Sequence, residues 1–171
     1  MTSRTHHYEI TLEWQGNRGS GTSGYRDYGR THEVRGVGKP PIAASSDPGF
    51  RGETDRWNPE ELLVAALSQC HLLTYLHAAA VAGVVVTAYT DAADGSMVEQ
   101  SDGGGHFTEA ILRPVVTVAD DSMVERALAL HADAEAKCFV AQSVNFPVRC
   151  EPTVLVRGGL ADDALEAPRG H

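Results

Sequence analysis

Trp57-Asn58-Pro59-Glu60-Glu61-Leu62-Leu63-Val64-Ala65-Ala66-Leu67-Ser68-Gln69-Cys70-His71 decides how this chain is read, because it is written as the opening of a long helix. Asn58 is a good N-cap. Pro59 suits the first helical position, and Glu61 stands where the carboxylate of a capping box belongs. The apolar run that follows puts Cys70 about three turns inside a largely buried helix. Gly83 is a natural stop, so the helix is expected from Pro59 to about Ala82. It is apolar nearly all round. Such a helix must be enclosed on every side, one small domain has too little to wrap it, and a dimer would supply the rest.

On the N-terminal side, Tyr8 to Trp14 alternates apolar and polar residues and reads as a half-buried strand. Gly16 to Gly24 reads as a loop and Thr31 to Arg35 as a second short strand. Gly36 to Arg56 carries Pro40, Pro41 and Pro48 and is expected to be irregular. Beyond the helix, Val84 to Thr90 is β-branched and strand-like, with turns at Asp91–Gly95 and Asp102–Gly105. Phe107 to Val118 is expected as one strand, bulged or at an edge near Pro114. Ser122 and Glu125 make a capping-box pair that opens a second helix, with Val124, Leu128, His131 and Ala134 on one face and Cys138 at its end. Val148 to Arg157 alternates and would be the last strand, with Cys150 on its apolar phase and read as core. Residues 158–171 are small, charged and aperiodic and read as a disordered tail. Two helices cannot cover both faces of such a sheet, so an α+β arrangement in a single domain over residues 1–157 is expected.

The 171 residues, 42% of them hydrophobic, are enough for one well-packed domain. A formal charge of −9 with no basic run argues against nucleic acid or an anionic membrane as partner. No stretch at the start has the basic-then-apolar form of a secretory leader. The apolar stretch from Leu62 to Val86 is broken by Ser68, Gln69, His71, Thr74, His77 and Gly83, so it reads as a core helix and a strand rather than a membrane span. Three widely spaced cysteines are a poor disulfide framework and point to a reducing cytosol.

A thiol deep in an apolar helix is ordinarily just a small hydrophobe. The company of Cys70 changes that reading. Asn58-Pro59-Glu60-Glu61-Leu62, then Cys70, then Cys138 after Ala134-Glu135-Ala136-Lys137, resembles the OsmC/Ohr family of osmotically inducible and organic-hydroperoxide-resistance proteins. The resemblance runs roughly from Tyr8 to Val156. It implies a strongly curved antiparallel sheet with a long buried central helix, assembled as an intertwined homodimer. It also implies a thiol-dependent peroxidase, reset by an external dithiol of the lipoyl type, with no metal or organic prosthetic group.

Residue by residue, the resemblance makes Cys70 the nucleophile and Cys138 the resolving thiol. Family members usually have proline after the latter, where this chain has Phe139. Peroxide reduction needs a thiolate, an ordinary thiol of pKa ~8.5 is mostly protonated at neutral pH, and burial would raise it further. The helix dipole fades within the first turn, so a cation must come from elsewhere. Gly29-Arg30-Thr31-His32 resembles the family stretch that carries the active-site arginine, which nominates Arg30, with Arg26 and Arg51 as competitors. Glu60 matches the family's active-site glutamate and could hold an arginine fork. As bland alternatives, each arginine is a solvated surface residue and Glu60 merely complements the helix dipole.

His71 follows Cys70 at about 100° around the helix and points elsewhere. No Cys-x-x-Cys or His-Glu-x-x-His spacing supports a zinc site. The preferred reading is reduction of organic hydroperoxides through a Cys70 sulfenic acid and a Cys70–Cys138 disulfide. The alternative is a non-catalytic ligand-binding or redox-sensing protein with an idle thiol pair.

Overall fold

The computed structural model describes residues 4–158, and the stretch read as a tail lies outside them beyond Gly158. The chain divides between Leu63 and Val64 into two compact units.

The first unit holds an antiparallel sheet in the order β1 (Thr11–Trp14), β2 (His32–Arg35), β3 (Ile42–Ala44). Leu12 pairs with Val34, and Val34 with Ile42, which sets the apolar phase of all three strands. The strand expected over Tyr8–Trp14 is shorter, and it is exposed along its whole length rather than half-buried. Ile10 and Leu12 are left exposed by the described residues. The loop after β1 folds back where Gly29 N donates to Gly16 O at 2.8 Å. A Cβ on Gly16 would sit 1.9 Å from Gly29 O, so the turn requires glycine there. The segment expected to be irregular contains β3 and a short 3-10 turn, Pro48–Phe50. It is pinned by Ser45, whose N–H reaches Trp57 O at 2.8 Å and whose hydroxyl donates to Glu53.

Helix α1 (Pro59–Val81) crosses the division. Its start is the expected capping box, with Glu61 N donating to Asn58 Oδ1 at 2.8 Å and Asn58 N to Glu61 Oε2 at 3.2 Å. Such caps are worth roughly 1 kcal/mol. Gly83, at φ 72, ends the helix, and Val84 N closes on Ala79 O at 2.9 Å. By length and composition α1 could cross a membrane, yet its buried stripe includes His71 and Tyr75. Leu67, His71, Tyr75 and Ala79 form that stripe at every fourth position. Leu73 and Val81 face outward, so within one chain α1 is buried on one side only.

The second unit also contains α2 (Val124–Lys137) and six strands: β4 (Val86–Asp91), β5 (Asp94–Glu99), β6 (Gly105–Leu112), β7 (Pro114–Val118), β8 (Val148–Cys150) and β9 (Thr153–Val156). They form two three-stranded sheets, β4-β7-β9 and β5-β6-β8. The architecture is α+β, but the expected antiparallel sheet needs correction, because β6–β8 and β7–β9 are parallel pairs. The two long runs read as single strands each bend and change sheet, one at Arg113 and the other at Glu151-Pro152. The bends are tied together. Glu151 N donates to Leu112 O at 2.8 Å, Arg113 Nε lies 3.3 Å from a Glu151 carboxylate oxygen, and Arg113 N reaches Asp91 Oδ1 at 2.7 Å.

Helix α2 begins after a 3-10 turn capped by Asp120, which accepts from Ser122 N at 2.8 Å, so the expected Ser122–Glu125 box does not form. Its inner face is Ala127, Leu130, His131 and Ala134, whereas Leu128 is 47% exposed. Tyr75 joins the helices by donating to Ala127 O at 3.2 Å.

Candidate active site

Cys70 is half-buried on α1, and Cys138 is buried at the C-cap of α2. The Cys138 thiol is near enough to the Cys70 thiol for each to act on the other, and both are free. Burial and then that neighbour push Cys138 up to about 11, against a smaller opposing pull from the N–H groups of Ala141 and Val140. At neutral pH Cys138 is therefore a thiol. Its backbone is extended (φ −71, ψ 107), which is the region a residue before proline must adopt. Phe139 occupies that turn without a proline ring, with its side chain 82% exposed.

The other two nominated residues belong to the first unit. Arg30 is held there by its own neighbours. Nη1 donates to Tyr28 O at 2.6 Å and Nη2 to Tyr25 O at 2.8 Å. The guanidinium carbon lies 4.1 Å from the Tyr28 ring centroid and 4.4 Å from that of Tyr25, a double cation–π contact. Glu60 makes no ion pair among the described residues, and its Oε2 is buried without a hydrogen-bond partner. An unpaired buried carboxylate oxygen is costly and normally finds a donor. Of the competing arginines, Arg26 is exposed, and Arg51 is the one non-glycine residue at positive φ (69°) among those described.

A second cluster was not legible in the sequence. His71 Nε2 lies 3.0 Å from His131 Nδ1, and the Cys150 thiol sits 3.5 Å from the first and 3.8 Å from the second. Cys150, read as plain core, is half-buried and faces two imidazoles from the last residue of β8. His131 stacks on Tyr75 at 4.1 Å and on His71 at 5.3 Å. Burial lowers His71, and it lowers His131 to about 4, so both rings are neutral. Burial first, then the charges of Glu135, Asp91 and Glu151, raises Cys150 to about 12. The three residues are 60 and 19 positions apart along the chain, so no local spacing marks them.

The family model for OsmC-like protein matches residues 52–153. The chain belongs to the OsmC-like family. That match contains Glu60, Cys70 and Cys138 and leaves Arg26, Arg30 and Arg51 outside it. An OsmC-like protein of unknown function from Vibrio cholerae is 30% identical, with a TM-score of 0.77 over 86% of this chain and 99% of its own. Two more distant structures share the OsmC-like fold. An organic hydroperoxide resistance protein from Elizabethkingia anophelis is 19% identical, with a TM-score of 0.63 over 90% of this chain and 99% of its own. One from Legionella pneumophila, described as a predicted redox protein, is 20% identical, with a TM-score of 0.64 over 89% and 100%. A search of curated protein sequences finds no match.

Proposed function

We propose that this OsmC-like protein is a thiol-dependent peroxidase acting on organic hydroperoxides. The observation that carries the reading is the nearness of two free thiols of unlike setting, half-buried Cys70 and buried Cys138 with its raised pKa. The Cys70 thiolate attacks the outer oxygen of the hydroperoxide. An S–O bond forms, the O–O bond breaks, and the alcohol leaves with a proton, so that Cys70 becomes a sulfenic acid. Cys138 then attacks that sulfur, the S–S bond forms and water leaves. An external dithiol, of the lipoyl type by family resemblance, reduces the disulfide by exchange and is itself oxidised. In a reducing cytosol the disulfide is transient.

Arg30 is the proposed cation, stabilising the thiolate and the charge that develops on the leaving oxygen. Glu60 aims it. Two features support a homodimer with composite sites: the unpartnered Glu60 Oε2, and the apolar residues left uncovered on β1 and α1.

The test is steady-state turnover with dihydrolipoamide, comparing an alkyl hydroperoxide with hydrogen peroxide. Turnover faster with the alkyl substrate supports the reading, and no turnover with either ends it. The second reading, an idle thiol pair on the same fold, is favoured by one observation, the engagement of Arg30 by Tyr25 and Tyr28. Stoichiometric peroxide separates the two. A peroxidase loses two thiols quickly, and an idle pair loses none or all of them slowly.

A further inference from the structure

We propose that His71, His131 and Cys150 form a binding site for one borderline-soft metal ion, with zinc(II) the ion they fit. The donors come from three separate elements, α1, α2 and β8, and lie within 4.8 Å of one another. Zinc bonds of about 2.0–2.1 Å to nitrogen and about 2.3 Å to sulfur, at tetrahedral angles, require roughly 3.3 Å between nitrogens and roughly 3.6 Å between nitrogen and sulfur. The observed separations are 3.0 Å for the nitrogen pair and 3.5 and 3.8 Å to the sulfur. A shift of a few tenths of an ångström would seat the ion.

The chemistry agrees with the spacing. Two imidazoles and a thiolate are a borderline-soft donor set, suited to zinc or copper and unsuited to magnesium or calcium. Three protein ligands leave a fourth position open for water. Tyr89 supplies an independent sign of something missing. Its hydroxyl is buried without a hydrogen-bond partner, and it lies near enough for the charge of Cys150 to act on it.

Two other uses of the cluster fit less well. A Cys–His nucleophile needs a thiolate–imidazolium pair, and burial disfavours both charges. Inert packing is decided against by the experiment below, since it predicts no metal uptake at all. Neither Cys70 nor Cys138 is among the donors, so the site is separate from the thiol pair and does not rest on the peroxidase reading.

The test uses the full chain, fully reduced with a phosphine, and cobalt(II) as a spectroscopic probe for zinc. The expected result is one ion per chain, with an intense tetrahedral visible spectrum and a thiolate-to-cobalt charge-transfer band. Zinc should displace the cobalt. Cys150→Ser, which changes a single atom, should abolish the charge-transfer band and weaken zinc at least ~100-fold in competition with a chromogenic chelator. His131→Gln should weaken it comparably. The Cys70→Ser/Cys138→Ser double variant should keep both band and affinity. Far-UV circular dichroism establishes which variants are folded, and should His131→Gln fail to fold, Cys150→Ser carries the test. Absence of the band in the wild type, or its survival in Cys150→Ser, would overturn the proposal. So would its loss in the double variant.

Discussion

The Cys138 thiol neighbours that of Cys70 and is pushed up to about 11, above its ordinary 9.0, first by burial and then by that neighbour. A thiol raised in this way favours the protonated, folded chain. Its contribution to stability is fully present below about pH 9 and is lost as the pH climbs through about 11. The expected outcome is a urea midpoint that falls across that window, with a shallower fall in Cys138→Ser. Pulse alkylation followed by mass spectrometry should label Cys70 first at neutral pH, with Cys138 following only as the pH approaches the upper end.

The three cysteines should separate cleanly in function. Cys70→Ser abolishes peroxide reduction, since a hydroxyl is not a soft nucleophile at neutral pH. Cys138→Ser lets Cys70 react once and leaves a sulfenic acid open to over-oxidation. Cys150→Ser leaves turnover nearly intact. Mass spectrometry of peroxide-treated wild type should find a Cys70–Cys138 bridge, and a Cys70–Cys150 bridge would contradict the assignment.

What could be read from the sequence was local, and what could not was long-range. The cap of α1 was legible because Asn58 and Glu61 exchange hydrogen bonds within one turn, and Gly83 ends the helix by its own backbone freedom. The pairing of Cys70 with Cys138 came only from family resemblance, since nothing local joins residues on two helices. The bends at Arg113 and Glu151-Pro152 were hidden because alternation continues through them, and what turns the chain is a contact between the two bends. Strand β5 was missed because Asp91–Gly95, which contains its first residues, reads as a turn, and its place comes from pairing with β6. Before α2, Asp120 took the cap that Ser122 and Glu125 were expected to form, and Leu128 lies on the exposed side of the helix rather than the inner one.

The identity of the active-site cation can be decided by three variants. If Arg30 serves the site, Arg30→Ala should slow turnover with alkyl hydroperoxide by about 10²-fold, the scale of losing one transition-state donor. Arg26→Ala should do little. Arg51 sits at φ 69, where glycine is at ease, so Arg51→Gly should be neutral or stabilising by up to about 1 kcal/mol without loss of activity. If Arg51→Gly is folded and inactive while Arg30→Ala turns over normally, the cation is Arg51, and Arg30 is a structural residue bound by Tyr25 and Tyr28.

The composite site makes the sharpest demand. Glu60 precedes Cys70 by ten positions on α1, which is about 15 Å along a continuous helix at ~1.5 Å per residue. One arginine could hardly bind that carboxylate and touch that thiol on the same helix. Two copies of α1 packed about a two-fold axis would bring Glu60 of one chain towards Cys70 of the other, and would cover Leu73 and Val81 as well. Complementation tests this. Cys70→Ser and Glu60→Ala chains, each nearly inactive alone, are refolded together in equal amounts. In a mixed dimer one site then draws Cys70 from the second chain and Glu60 from the first. Half the dimers are mixed and each carries one whole site of two, so about a quarter of wild-type turnover should return if the sites are composite. If each chain holds its own Glu60 and Cys70 in one site, none should return. Mixed dimers isolated by differential tags and found inactive would therefore overturn the composite site, because a Glu60 whose loss silences the chain would then have to serve the Cys70 of that same chain.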